Sequence, residues 1–453
     1  MIDSSDNLYD VIIVGGGLAG LTAAWNLREK KILLIESETR FGGRIYSSPR
    51  DSYWLNLGAG VFSAGESPLR NMINSFGLQT IAIPGSTTAM AFDDRILSRG
   101  RIETYPLRLP LSLSARKSLI FSGIKIRSAV AKYHKVSKPI SGESIEDTER
   151  RIMKFEGDRS FADFLGRIHP DVDAILRATA ANRLGAELET ISANGALGSF
   201  AYQWDKSSNI LNHNLIGGSA KLTDELSKRL GKVLISSGTV ERVIDNNGVI
   251  SVTYQKEGKQ VHVKAKAAIV ATPADVSRKI ISNLPTKLEN ALGEIRYGPA
   301  VLASVLTDET GAMPYDNIYA MITPKRASTV FINVANSLRS TAERKPGGSL
   351  LVYKGGPEAL KLMALSDKEV EKTLLNSLFE VYPSTRGIIR EVILKRWERI
   401  VPFSHPGRYL IQSDLEIPMP RIFLAGDYLG NWANMEVAFA SGTQAAKMAL
   451  AII

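Results

Sequence analysis

Short apolar runs and glycine-rich turns alternate at both ends of this chain. Val11-Ile12-Ile13-Val14 reads as a buried strand and runs straight into Gly15-Gly16-Gly17-Leu18-Ala19-Gly20. An alanine-rich stretch then predicts a helix, and Ile32-Leu33-Leu34-Ile35 predicts a second strand ending at Glu36. Between Val233 and Val263 the residues alternate as in hairpin strands, with Asp245-Asn246-Asn247-Gly248 as the turn. Ser160-Phe161-Ala162-Asp163-Phe164-Leu165 predicts a short amphipathic helix capped by its serine. Near the C-terminus, Arg421-Ile422-Phe423-Leu424-Ala425-Gly426-Asp427 predicts a strand entering a turn, and Met435 to Ile453 predicts a helix. No internal repeat or low-complexity tract interrupts the pattern.

The first turn carries chemistry. A G-x-G-x-x-G loop lets the chain turn tightly at Gly15, approach a pyrophosphate at Gly17 and set the helix close to the sheet at Gly20. Amides at the helix N-terminus, those of Leu18 and Ala19 among them, suit the phosphates. Glu36, followed by Ser37, stands where a carboxylate accepts hydrogen bonds from a ribose. Strand, loop, helix, strand and acid in this order predict a bound dinucleotide. Gly42-Gly43-Arg44 either adds a second close backbone approach to a bulky cofactor or is an ordinary turn with a solvated arginine. Asp427, shortly before the helix that starts at Met435, again pairs a carboxylate with a helix N-terminus.

Composition narrows the chemistry. At 453 residues, 44% hydrophobic and 23% charged, the chain is long enough for two domains with cores of their own. Cysteine is absent, which excludes disulfides and thiolate metal sites. The 5 histidines show no metal-ligand spacing, so no metal site is expected. Met1 to Asp6 is acidic and polar, unlike a signal peptide, and no run reaches the ~18 apolar residues of a membrane span. A cytoplasmic protein is the expectation. The net charge of +10 is uneven: Arg108, Arg116, Lys117, Lys125, Arg127, Lys132, Lys135 and Lys138 fall between Tyr105 and Lys138 with no acid among them. Leu119, Ile120, Phe121, Ile124 and Ile126 are interspersed. Two readings stand: a basic amphipathic surface lying peripherally on anionic lipid, or a solvated helix pair whose apolar face packs inward. No nucleic-acid module accompanies the charge, and nucleic acid is not an expected partner.

Taken together these residues resemble the flavin-dependent amine oxidase superfamily, which includes amine oxidases, protoporphyrinogen oxidases and carotenoid-type desaturases. The resemblance spans most of the chain. It rests on Gly15 to Gly20 with Glu36, Gly42-Gly43-Arg44, Asn56-Leu57-Gly58-Ala59-Gly60 and Gly217-Gly218-Ser219. Thr239-Val240-Glu241-Arg242-Val243, Ala271-Thr272-Pro273, Ala425-Gly426-Asp427 and Ser441-Gly442 continue it. It implies a tightly bound FAD, and without a cysteine to attach the flavin, non-covalent binding is the expectation. By resemblance, Glu36 holds the adenosine ribose, Arg44 lies by the pyrophosphate and Val240 meets the adenine through its backbone. Asp427 holds the ribityl and pyrophosphate region, and the Met435 amide faces the flavin pyrimidine edge. Ser37, Gly43, Gly58, Ala59, Gly60, Thr272, Gly426 and Glu436 complete the expected cofactor contacts.

Departures from the family bear on the substrate. Where amine oxidases carry a lysine near the reactive flavin nitrogen, the matching residue here is Leu302. Asn434 and Ile400 match the two positions of the aromatic cage that grips an amine, and neither supplies an aromatic face. Arg99 to Pro106, Ser160 to Leu165, Glu189 to Ser192 and Trp397 with Pro402-Phe403 resemble the protoporphyrinogen oxidase and desaturase branch instead. Substrate-pocket candidates are Arg101 (a carboxylate or carbonyl grip, or a surface arginine), Trp432 (a pocket wall, or core), Asn434 (a donor, or a helix cap) and Phe403. Tyr428 is read as a proton donor or as structural.

The expected architecture is α/β plus α+β: a discontinuous Rossmann-type FAD-binding domain from 1–85, 215–275 and 395–453, and a mixed α+β substrate domain from 86–214 and 276–394. The expected function is dehydrogenation of a cyclic or extended small molecule by hydride transfer to flavin, with O2 or a quinone as acceptor. Two alternatives stay open: a flavin amine oxidase without the usual cage, and a non-catalytic relative that binds a partner. The sequence carries no signal for oligomeric state.

Overall fold

A computed structural model gives the structure and describes residues 8–204, 211–340 and 343–453; the Met1 to Asp6 segment lies outside it. The apolar run near the N-terminus forms the strand Leu8–Val14, buried over Val11–Val14, at the centre of the first sheet. Parallel neighbours flank it: Ile32–Ile35 on one side and Lys259–Val270 on the other. Beyond Ile32–Ile35 lies Leu234–Ile235. Lys259–Val270 continues into the antiparallel strands Val249–Lys256 and Gly238–Asn246, and Ile422–Leu424 joins it in parallel. The expected turn forms, with Asn247 and Gly248 at φ 54 and 96 and the Gly248 amide bonded to Asp245.

Two helices cover one face of this sheet. Leu18–Asn26 crosses Met435–Leu450 so closely that a Cβ at Gly442 would lie 2.1 Å from the Ala19 carbonyl oxygen. The cluster they share with the sheet, including Leu21, Leu34, Ile269, Phe439 and Ala446, is the core of the cofactor half.

The second sheet runs Ile389–Phe403, Arg296–Thr307, Gly348–Gly355, Val330–Asn333, Ala320–Ile322, Ala89–Phe92 and Arg95–Leu97. All its pairings are antiparallel except that of Ala320–Ile322 with Ala89–Phe92. The strand Ile389–Phe403 therefore belongs to this sheet, and the boundary expected at 395 falls within it. Ile280 and Ile281, expected in the substrate half, pack instead beneath the first sheet.

A helical lobe stands beside the second sheet. It contains Leu113–Val136, Ile145–Lys154, Phe161–Leu165, Pro170–Leu184 and Ala193–Trp204. Ser160 caps its short helix as expected, accepting from the Asp163 amide at 3.0 Å. The basic segment is a four-residue helix, Tyr105–Arg108, followed by the single long helix Leu113–Val136. Its apolar residues are not all turned inward: Ala115, Ile126, Ala129, Val130 and Tyr133 are buried, whereas Leu113, Phe121 and Ile124 are exposed. Among the described residues no helix is long and apolar enough to cross a membrane.

Candidate active site

The glycine loop is strained only where it turns. Gly15 has φ +101, and a Cβ there would lie 2.8 Å from the Ala271 carbonyl oxygen and close to the Thr272 methyl. The first helical hydrogen bond runs from the Leu21 amide to the Gly17 carbonyl at 2.9 Å, so the amides of Leu18, Ala19 and Gly20 lie ahead of it. A side chain on Gly17 would meet no atom within 4 Å, which leaves open space before the helix N-terminus.

Glu36 sits at the end of the second strand, 8% exposed. One carboxylate oxygen accepts from the Gly16 amide at 2.6 Å; the other accepts from the Glu38 amide at 2.8 Å and the Ser37 hydroxyl at 3.1 Å. A carboxylate has about four lone-pair sites, so capacity for one ribose hydroxyl remains. The Gly42 amide donates to the Gly16 carbonyl at 2.7 Å, seating Gly42-Gly43-Arg44 directly on the first loop. Gly238 donates to the Glu36 carbonyl, which brings Val240 and its β-bulge beside the same strand end.

Arg44 reaches the C-terminal turn. Its Nη2 lies 2.5 Å from Asp427 Oδ1, and its Nη1 donates to the Ile400 carbonyl at 3.3 Å. Burial works against the Arg44 cation, but the charge and hydrogen bond of Asp427 outweigh it and raise its pKa. Around the Gly58–Gly60 loop, Ala59 donates to the Arg44 carbonyl, Asn56 to the Gly58 carbonyl, Asn214 to the Gly60 carbonyl, and the Trp397 indole to the Leu57 carbonyl. The Gly426 amide donates to the Ser441 hydroxyl at 2.9 Å. The amides of Met435 and Glu436 open the last helix, and burial raises the pKa of the Glu436 carboxyl despite a hydrogen bond from Ser67.

This donor set fits FAD. Helix amides, a guanidinium and open space before Gly17 suit a pyrophosphate, and the Glu36 carboxylate suits a ribose. Asn56 Oδ1 and Asn214 Oδ1, next to the Gly58–Gly60 loop, are buried without hydrogen-bond partners among the described residues.

A cavity of about 280 Å³ lies between the helical lobe and the second sheet. Met90, Tyr105, Leu109, Ile126, Ile175 and Phe200 represent its apolar wall. Its one carboxylate among the described residues is Glu103, which is paired with Arg127 at 2.5 Å; that hydrogen bond holds its pKa down at about 2. The Trp204 indole N–H, on the same wall, is buried without a hydrogen-bond partner among the described residues. Tyr319 precedes wall residue Ala320 in the chain and contacts Asn214 of the cofactor half. Its hydroxyl accepts from Asn214 at 3.3 Å, and burial pushes its pKa up to about 12.

The substrate candidates read from the sequence do not gather at this cavity. Arg101 projects into solvent, its side chain 80% exposed against Glu103, because it begins an exposed 3-10 turn. Phe403 packs against the helical core with Phe161 and Ile191. Asn434 caps the last helix, its Oδ1 accepting from the Val437 amide at 2.9 Å. Trp432 fills the joint between the halves, donating to the Tyr133 hydroxyl at 3.3 Å. Tyr428 is buried with Ala274, Leu288 and Leu415, the structural reading. Leu302 is 1% exposed and in register with Lys395, whose ammonium lies 4.5 Å from the Trp397 ring. Trp204 and Phe200 escaped the sequence reading because their motif-free helix looks like core.

A glycine-loop dinucleotide fold with a carboxylate at the second strand end and an apolar cavity in its second half is the arrangement of a flavoprotein oxidoreductase. Comparison with known proteins agrees: residues 18–450 match the model of the flavin containing amine oxidoreductases, and the chain belongs to that family. It is an FAD-dependent enzyme of this family. Among curated proteins it is 21% identical to "Protoporphyrinogen oxidase 1, chloroplastic" from Arabidopsis thaliana, covering 94% of this chain and 85% of that protein. It is 23% identical to L-amino acid oxidase Bs29 from Bothriechis schlegelii, covering 98% and 91%. Its fold is similar to that of a putrescine oxidase bound to putrescine, with a TM-score of 0.76, 19% identity and coverage of 98% and 99%. It is likewise similar to cyclohexylamine oxidase from Brevibacterium oxydans IH-35A, with a TM-score of 0.77, 16% identity and coverage of 97% and 98%.

Proposed function

We propose that this enzyme dehydrogenates a carbon skeleton, CH–CH or CH–NH, in a cyclic or extended apolar molecule, as protoporphyrinogen oxidases and desaturases do. The observation that carries this reading is the cavity: its wall is apolar, and its one carboxylate among the described residues is already neutralised by Arg127. An ammonium substrate would find no free carboxylate there among the described residues. Independently of the cavity, Leu302, Ile400 and Asn434 match by resemblance the family's amine-handling positions, and none supplies an aromatic face.

Bound FAD supplies a two-electron acceptor for a hydride. The chain's own part is to bind, orient and exclude water. The apolar wall desolvates the substrate, and the Trp204 N–H, without a partner among the described residues, offers one donor for an acceptor atom such as a ring carbonyl oxygen. Two electrons and one proton leave the substrate as hydride, a second proton leaves to solvent, and O2 or a quinone takes up the electrons. An amine oxidase that holds its amine differently is the second reading, favoured by the relatedness to L-amino acid oxidases.

Anaerobic mixing of the yellow enzyme with porphyrinogens, polyenes, cyclic ketones and amines tests both. Bleaching of the flavin absorbance by one of the first three classes is expected, and bleaching by simple amines alone overturns the proposal.

A further inference from the structure

The strand Leu211–Leu215 belongs to no glycine motif, yet it sets Asn214 against the Gly58–Gly60 loop. Asn214 is 3% exposed. Its Nδ2 donates to the Gly60 carbonyl at 2.9 Å and to the Tyr319 hydroxyl at 3.3 Å. A carbonyl only accepts, so Gly60 decides which end of the amide faces it. Asn214 Oδ1 is then left buried, without a hydrogen-bond partner among the described residues. An acceptor withdrawn from water in this way calls for a donor. Tyr319 holds the other side of the amide from a fixed backbone. Its amide and that of Ala320 both donate to the Ser86 carbonyl, and its own carbonyl accepts from the Asn333 amide at 2.7 Å.

We propose that Asn214 is a cofactor ligand outside every glycine motif. Its Oδ1 accepts a hydrogen bond from the flavin end of FAD, and Tyr319 is the positioning residue that keeps the amide in that orientation. Glu36 marks the opposite, adenosine end. The Gly58–Gly60 loop hangs instead on Arg44 through the Ala59 amide, and on the second sheet through the Trp397 indole at Leu57. A flavin ring serves a substrate only where it faces it, which favours the side where the second sheet begins. The donor is a ring N–H or a ribityl hydroxyl. The proposal rests on the loop as a cofactor contact, and stands without the reaction proposed above.

Release of FAD from the purified holoenzyme, followed as rising flavin fluorescence on dilution, tests it. Asn214→Ala should release FAD about fivefold to tenfold faster, and Tyr319→Phe, which keeps the ring, roughly threefold faster. Asn214→Asp keeps an acceptor and loses the amide hydrogens, so it should release FAD more slowly than Asn214→Ala. Equally fast release from those two variants would leave only the tether to Gly60 and overturn the contact. Wild-type release in Asn214→Ala also overturns it, even if the melting temperature falls, because a purely structural asparagine alters stability alone. Asn214→Ser carries the same expectation should the alanine variant not fold. Wild-type release in Tyr319→Phe removes the positioning role. The midpoint potential separates the two donors: a ring N–H shifts it by about 30 mV for each tenfold difference between oxidised and reduced flavin, and a ribityl hydroxyl does not. Ala59→Arg, at an exposed loop position, tests the premise separately. It should purify without flavin, and retained flavin takes the loop out of the cofactor site.

Discussion

Arg44 and Asp427 meet at 2.5 Å across 383 residues of sequence, joining the first glycine turns to the last one. Both side chains are largely withdrawn from water, at 29% and 9% exposure. Removing one partner leaves the other charge uncompensated at the cofactor face. Asp427→Ala should cost about 3 kcal/mol of folding stability, the lower end for a broken buried pair. It should also lower the flavin-to-protein absorbance ratio of the purified enzyme; an unchanged ratio removes Asp427 from the cofactor site.

Glu36 gathers three protein donors and keeps room for one ribose hydroxyl. Glu36→Ala should weaken FAD binding roughly tenfold to a hundredfold, as expected for hydrogen bonds to a charged acceptor. Equilibrium dialysis of refilled apoenzyme measures this. Acid precipitation of the wild type should release all flavin, since non-covalent binding leaves none with the pellet.

Trp432 rests on Gly198. A Cβ at Gly198 would stand 2.2 Å from its Cζ2, so Gly198→Ala forces the indole away from the Tyr133 hydroxyl. The melting temperature should fall by the equivalent of about 1–3 kcal/mol. Recovery is expected in Gly198→Ala combined with Trp432→Leu, and equal loss in both variants would place the strain elsewhere.

Trp204→Phe deletes a cavity donor that has no partner among the described residues and keeps the apolar wall. For a substrate bearing a carbonyl, KM should rise roughly tenfold, with flavin content unaltered. Unchanged KM for every such substrate would retire the donor role.

Burial lowers the pKa of His405, 5% exposed beside the joint where Ser192 meets Ser404. The folded chain holds this ring neutral, whereas the unfolded chain protonates it near the ordinary value of about 6.5. Its contribution is therefore complete above that pH and is lost as the pH falls through the folded value. Melting temperature should drop between about pH 7 and pH 5, and His405→Gln should flatten that slope.

The cofactor half was legible residue by residue because its chemistry is local. Gly15 to Gly20 and Glu36 lie within one strand–helix–strand unit, where spacing alone decides which amides and which carboxylate converge. The basic helix was ambiguous for the opposite reason: apolar residues occupy both of its faces, so periodicity does not tell which face packs. The indole of Trp204 becomes a candidate donor only because strands distant in sequence, Ala89–Phe92 and Ala320–Ile322, contribute to the cavity wall it lines. Arg101, Phe403 and Asn434 were placed by motif proximity, but a side chain's surroundings depend on elements its motif does not contain.

By itself, then, the sequence determined the glycine turns, the acid and the family they belong to, because backbone conformation and short-range hydrogen bonding are written locally. Only the tertiary structure decided which walls enclose the cavity, which carboxylate is neutralised by Arg127, and that Leu113 and Phe121 face outward. Those depend on packing between the second sheet and the helical lobe, where contacts form between residues far apart in the chain.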